Sequence, residues 1–206
     1  MKEAKIELHN VDCLPFMKQC EDNQFDLAIV DPPYGIGDKL KSGEGRNSKF
    51  KKDTNVSWDV APTDEYFKEL FRVSKSQIIW GSNYFKMPPT RCNVIWDKIQ
   101  EFSGSDFELA WTSFNGPSKA FRMSRVEAYS SGKIHVCQKP VALYKWLLQN
   151  YAKEGDKIFD SHLGSGSIAC ACHDMHFDLV GCELDKEYFE KASERLKIHR
   201  QQLSLF

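Results

Sequence analysis

Two spacings of hydrophobic residues alternate along the chain. Short apolar runs bounded by turn residues, Phe25 to Val30, Gln77 to Gly81, Ile158 to Asp160 and Leu179 to Cys182, predict buried strands. Lys5 to His9 alternates as a further short strand, and Asn93 to Trp96 and Glu108 to Trp111 add two more. Elsewhere the spacing is helical. Behind Pro62 and an acidic first turn, Thr63 to Val73 carries Tyr66, Phe67, Leu70, Phe71 and Val73. Tyr188 to His199 repeats Tyr188, Phe189, Ala192 and Leu196, with Lys191, Arg195, Lys197 and Arg200 expected to face solvent. Asp12 is the expected N-cap of a helix through Leu14, Phe16 and Met17. Pro140 suits the first position of another helix reaching Leu148, where its missing N–H is not needed. Strands alternating with helices predict an α/β fold. Trp80, Trp96 and Trp111 are expected as core or wall residues.

The run from Phe25 ends at Asp31, and Pro32 and Pro33 then forbid both helix and further sheet pairing. The chain must leave the sheet extended. The Asp31 carboxylate, the Pro32 carbonyl and the Tyr34 ring therefore gather at the carboxyl end of a strand, where open α/β sheets bind ligands. Two acceptors and an aromatic face suit a planar base carrying an exocyclic amine. The plain alternative is an ordinary strand-to-loop exit.

A second constellation lies late in the chain. After the strand ending at Asp160, Gly164, Ser165 and Gly166 form a tight turn into a helix beginning near Ser167, and the following strand ends at Glu183. Glycine admits close approach of a bulky ligand, the helix start offers free N–H groups, and a terminal acid can accept from two ribose hydroxyls. In this order the parts are far more specific than a lone Gly-x-Gly turn.

With 206 residues the chain is long enough for one well-buried domain, drawn over residues 1–200 with a tail peptide at 201–206. A formal net charge of −1 excludes a globally basic nucleic-acid binder, so contact with DNA must come from local patches. Two candidates stand out. Asp38 to Asp53 carries Lys39, Lys41, Arg46, Lys49, Lys51 and Lys52 and reads as a phosphate-contacting loop or a solvated one. Residues 114–131, without clean periodicity, interleave Lys119, Arg122 and Arg125 with Phe121, Met123 and Tyr129. Seven cysteines, none in a Cys-x-x-Cys pair, suit buried reduced thiols, and no metal site is expected. No apolar stretch approaches the length of a membrane span, and the expected setting is intracellular and cytoplasmic.

Asp31-Pro32-Pro33-Tyr34 resembles the catalytic motif of the amino-methyltransferases that act on DNA bases, and Asp160 to Ser167 resembles their S-adenosylmethionine loop. Their order matches the circularly permuted β-type arrangement of that family. The resemblance covers nearly the whole chain. It implies a three-layer sandwich on a mostly parallel, Rossmann-like sheet and methyl transfer to the exocyclic amine of a flipped-out adenine in double-stranded DNA. Asp31, Pro32 and Tyr34 would be catalytic. The cofactor would be held by Asp12, Asp31, Lys139, Asp160, His162, Gly164, Ser165, Gly166, Ser167 and Glu183, with Lys139 toward the methionine carboxylate. Ser161 and His162 depart from the Pro and Phe typical of the loop. Methylation of the cytosine amine and a non-catalytic DNA-binding module are the alternatives. The recognition segment is short, so sequence reading could fall to loops or to a second subunit, as in a homodimer. Finally, Gln202-Leu203-Ser204-Leu205-Phe206 resembles a bacterial sliding-clamp-binding peptide, in which Gln202, Leu203, Leu205 and Phe206 would make the contacts.

Overall fold

The computed structural model describes residues 3–37, 59–99, 105–130 and 138–203, apart from the side chains of residues 202 and 203. Its strands are β1 (Ile6–His9), β2 (Phe25–Val30), β3 (Ser74–Trp80), β4 (Asn93–Asp97), β5 (Phe107–Thr112), β6 (Lys119–Arg122), β7 (Lys157–Asp160) and β8 (Asp178–Cys182). The helices are α1 (Cys13–Gln19), α2 (Asp64–Val73), α3 (Arg125–Ala128), α4 (Val141–Tyr151), α5 (Ser167–Met175) and α6 (Lys186–Leu203). A 3-10 turn covers Ser82–Tyr84.

The eight strands form one sheet in the order β1-β8-β7-β2-β3-β5-β4-β6. Every pair is parallel except β3 with β5 and β5 with β4, so β5 alone runs against the rest. The order turns back at the β7–β2 neighbours, where open α/β sheets form their ligand crevice.

Both faces are covered, as the unbroken apolar runs of the central strands require. Leu27 and Ile29 of β2 join a core with Leu143 and Leu147 of α4, Ile168 of α5 and Leu196 of α6. Ala28 and Val30 join the other, with Met17 of α1 and Tyr66 and Leu70 of α2. Phe159 of β7 anchors this second core by stacking on Phe25 at 4.5 Å and on Phe16 at 6.3 Å. The three tryptophans are buried as expected. Thr63 caps α2 and Asp12 caps α1, where Asp12 accepts from the Leu14 N–H at 2.9 Å. The six described cysteines are free thiols.

Several boundaries differ from the sequence reading. β3 begins at Ser74 directly after α2, so no loop separates them. Pro140 is the N-cap of α4 rather than its first helical residue. Residues 114–131 contain a strand and a short helix: β6 pairs in parallel with β4 from Val94↔Lys119 to Asp97↔Arg122. Only a distant partner defines that strand, which is why no local period revealed it. Arg195 does not face solvent but reaches the Ser165 carbonyl and the Ser167 hydroxyl, both at 2.9 Å. Helix α6 continues through Leu203, across the boundary drawn at residue 200. Ser204, Leu205 and Phe206 lie outside the described residues, as do Lys39, Lys41, Arg46, Lys49, Lys51 and Lys52. No described helix is long and apolar enough to cross a membrane.

Phe159→Ala is expected to destabilise the protein by about 3–5 kcal/mol, because the vacated ring stack lies between strand and helix and cannot collapse. Denaturant unfolding of both proteins measures it, and a loss well under 1 kcal/mol would contradict the packing.

Candidate active site

The carboxyl ends of the parallel strands surround one cavity of about 1150 Å³. β2 delivers Asp31 to it, β8 delivers Glu183, and the loop after β1 contributes Asp12. Because β5 is reversed, its first residues arrive at the same edge and bring Glu108 into the wall.

Asp31 is held from two sides. The Tyr34 hydroxyl donates to its Oδ1 at 2.7 Å, and the Lys139 ammonium forms an ion pair with its Oδ2. Lys139 also pairs with Glu108 at 3.1 Å, and Glu108 in turn with Lys98 at 2.9 Å. Burial raises the Asp31 carboxyl above its ordinary range, opposed by Lys139 and reinforced by Glu108. Burial works against the charge on Lys139, yet the two carboxylates push its pKa upward. Burial would raise Glu108, but the Lys139 and Lys98 ammoniums hold it down at about 2.

Tyr34 is fixed as tightly as the acid it touches. Its ring stacks on Tyr84 at 4.9 Å, and Phe85 meets it edge-on at 6.1 Å. Gly81, at φ +69°, lies against the ring; a Cβ there would fall 2.0 Å from Tyr34 Cε1, so no larger residue fits. The following turn is pinned by Asp59, which accepts from the Gly35 N–H at 2.9 Å and the Ile36 N–H at 2.7 Å.

Across the cavity, Glu183 accepts from the backbone N–H groups of Gly164 at 2.8 Å and Asp185 at 2.9 Å. Burial pushes its carboxyl up. Asp160 stands behind the loop, accepting from the His162 N–H at 3.0 Å. Burial, with Asp31 and Glu183 adding, pushes its carboxyl up to about 8. Gly166 is the N-cap of α5 at φ +69°, and a Cβ there would meet Ala192 at 3.0 Å. The unusual Ser161-His162 pair has partners of its own. Ser161 Oγ bonds to Tyr66 Oη at 2.6 Å and His162 Nδ1 at 2.8 Å, and His162 Nε2 lies 4.0 Å from Cys13 Sγ. Burial lowers the His162 pKa to about 4, leaving the ring neutral.

The expected site residues therefore divide. Asp12, Asp31, Pro32, Tyr34, Lys139, His162, Gly164, Ser165 and Glu183 line the cavity. Asp160, Gly166 and Ser167 support its wall without lining it. Of the described basic residues expected to contact DNA, Arg125 lines the cavity, whereas Lys119 is bound to Asn150 at 2.7 Å and Arg122 to Asp97 at 3.2 Å. Sequence reasoning missed Glu108, Lys98 and Gly81. A lone acid inside the apolar stretch Phe107-Glu108-Leu109-Ala110-Trp111 was the available signal. No group of three or more potential metal ligands occurs among the described residues.

A family profile described as DNA methylase, of the N6/N4 methyltransferase type, matches residues 91–194, just over half of the chain. The chain belongs to this DNA methylase family, whose methyl donor is S-adenosylmethionine. It is 24% identical over 231 residues to the type II methyltransferase M.HpaI of Haemophilus parainfluenzae, covering 87% of this chain and 70% of that protein. Two further relatives are longer, and the chain spans 14% and 56% of them. The crystal structure of the M1.HpyAVI–SAM complex is similar with a TM-score of 0.60 at 20% identity, covering 92% of this chain and 99% of that one. The PvuII DNA methyltransferase, described as cytosine-N4-specific, is similar with a TM-score of 0.62 at 12% identity, covering 98% and 93%. These structures share the three-layer α/β fold with its mostly parallel sheet.

Asp160 binds its proton more tightly in the folded chain than in the unfolded one. Its contribution to stability is full below the ordinary carboxylate range and is lost as pH rises through about 8. His162 acts in the opposite sense, but only between about 4 and its ordinary 6.5. Stability of the cofactor-free protein should therefore fall from pH 6.5 to 8, and Asp160→Asn should flatten that slope. Denaturation at a series of pH values measures both, and equal slopes would contradict a proton on Asp160.

Proposed function

We propose that the protein transfers a methyl group from S-adenosylmethionine to the exocyclic amine of an adenine flipped out of double-stranded DNA. The observation that carries this reading is the Asp31 carboxylate, buried beside Tyr34 at the edge of a cavity long enough to reach Glu183. Its volume, about 1150 Å³, exceeds that of an ordinary small-ligand pocket and suits a nucleoside cofactor and a base together.

The wall fits the cofactor by its charge. Asp31 and Glu183, both on the cavity wall, act together on Asp160 behind it and push its carboxyl upward, so a cation is favoured over an anion in the space they border. When bound, S-adenosylmethionine supplies an electrophilic methyl on a sulfonium centre. Glu183 would accept from the ribose hydroxyls, Asp12 would approach the adenine amine, and Gly164 and Ser165 would border the methionine end.

Asp31 and the Pro32 carbonyl accept hydrogen bonds from the two N–H groups of the target amine. That favours a pyramidal nitrogen and stabilises the positive charge that develops as its lone pair bonds the methyl carbon; the carbon–sulfur electron pair leaves with the thioether product, and the surplus amine proton is then lost to solvent. Holding amine and methyl in line can contribute roughly 7–11 kcal/mol. Flipping the base out of the duplex costs a few kcal/mol, and stacking on Tyr34, worth roughly 1–3 kcal/mol, offsets part of it. Arg125, on the cavity wall, suits a phosphate beside the flipped nucleotide.

The cytosine amine presents the same donor geometry, and one of the similar structures is a cytosine-N4 enzyme. An Asp at the start of the motif favours adenine by resemblance. Nucleoside mass spectrometry of DNA from cells expressing the protein separates the two. N6-methyladenine is expected, and it should vanish with Asp31→Ala. N4-methylcytosine instead would overturn the choice of base, and methylation undiminished in the variant would overturn the role of Asp31.

The peptide Gln202 to Phe206 carries a separate proposal, contact with a bacterial sliding clamp, which would raise local concentration on newly replicated DNA. Binding of the full chain to a clamp, lost in a truncation ending at Gln201, is the expected result. Equal binding by both, or by neither, would remove it.

A further inference from the structure

Lys139 is 3% exposed and touches the acid on which the proposed reaction depends, yet no step above uses it. Four charged groups alternate in sign along one half-buried line, with Lys139 its fully buried member. Lys98 pairs with Glu108, Glu108 with Lys139, and Lys139 with Asp31. The two lysines are also backed by indole rings, Lys139 at 5.0 Å from the Trp80 centroid and Lys98 at 5.5 Å from that of Trp96. Two positive and two negative charges cancel within the line. A lysine already neutralised by two carboxylates gains little from a third, so the methionine carboxylate is a poor partner for it. That partner was the one suggested by family resemblance.

We propose that Lys139 and Glu108 are positioning residues, an ion pair on the cavity wall that fixes the rotamer of the Asp31 carboxylate and keeps it charged to receive the target amine. The inference rests on the reading of Asp31 as acceptor of that amine. A carboxylate offers about four lone-pair sites. Tyr34 takes one on Oδ1 and Lys139 one on Oδ2, which stops rotation and leaves the others for a ligand in the cavity. Glu108 holds Lys139 from the opposite side, so the ammonium cannot follow Asp31 into the cavity. The arrangement also joins the two halves of the sheet. Glu108 and Lys98 belong to the β4–β5 hairpin on the substrate side, whereas Asp31 ends β2 at its centre.

The test reads acidity as well as rate. Asp31 is faced by Lys139 from just before α4, Glu108 from β5, Tyr34 from its own loop, Tyr66 from α2, Tyr144 from α4 and Asp160 from β7, with Lys98 behind Glu108. Removing the cation and removing the second acid should therefore move the titration of Asp31 in opposite directions. Single-turnover methyl transfer to DNA at saturating S-adenosylmethionine is measured across pH for the wild type, Lys139→Met and Glu108→Gln, together with cofactor affinity by calorimetry. Lys139→Met should lose about 100-fold in rate at neutral pH, the scale of a misplaced reacting group, and its acid limb should move to higher pH. Glu108→Gln should move the acid limb to lower pH. Cofactor affinity should stay within about threefold of wild type in both, under 1 kcal/mol. If Lys139→Met weakens cofactor binding by about tenfold or more while its saturated rate is retained, the lysine is a cofactor ligand and the inference fails. It fails equally if neither acid limb moves. Should Lys139→Met not fold, Glu108→Gln decides alone, its downward shift supporting the pair and an unmoved limb overturning it. A wild-type protein that methylates no DNA overturns the proposed function itself, a result distinct from either variant's.

Discussion

Negative charge gathered at one edge of the sheet is the constraint around which this protein is built. The strand ends and the reversed start of β5 bring Asp31, Glu108 and Glu183 to one cavity wall, with Asp160 buried behind it. Unpaired buried carboxylates are costly, and each is relieved differently. Asp31 and Glu108 share the Lys139 ammonium. Glu183 takes backbone N–H groups from the glycine loop and from Asp185. Asp160, without a cation, keeps its proton up to about pH 8. The Asp31 side of the wall is thus held by side-chain charge and the Glu183 side by main-chain N–H groups.

Much of this fold was legible from local pattern. The apolar runs ending at Asp31, Asp160 and Cys182 became the central strands because a strand covered on both faces must be apolar throughout. The two prolines after Asp31 and the glycines after His162 sit where the chain turns away from the sheet, so motif and geometry coincide. Strand β6 was hidden because Lys119-Ala120-Phe121-Arg122 has the composition of a surface loop and is strand only through its pairing with β4. Lys139 was visible as a residue at a helix start, but its partners Asp31 and Glu108 are distant in sequence. Long-range charge pairing leaves no periodic trace. Glu108 was read only as part of a strand, since its importance lies in which end of the sheet the reversed strand begins at.

The Ser161-His162 departure illustrates how a family position can change chemistry and keep its shape. A polar pair in a buried loop needs partners. Ser161 finds one in Tyr66 from α2, and His162 turns one nitrogen to Ser161 and the other toward Cys13. Helices α1 and α2 are thereby tied to the loop by hydrogen bonds in addition to the apolar contacts beneath them. Arg195 ties α6 to the same loop from the other face through Ser165 and Ser167. The loop is gripped by three helices.

The lone reversed strand separates two kinds of freedom. Since β5 enters the sheet from the ligand edge, Lys98 just past the end of β4 and Phe107 at the start of β5 both line the cavity, and the Lys98 N–H bonds the Asp106 carbonyl at 2.9 Å. The parallel run β1–β8–β7–β2 lies on the other side of β3 from that edge. On the proposed reading the side of the sheet bearing β4 and β5 can therefore vary while the side bearing Glu183 stays fixed, so long as Lys98 and Glu108 remain as the two posts of the hairpin. One scaffold would in this way be free to change what lies at one end of the cavity without altering the other.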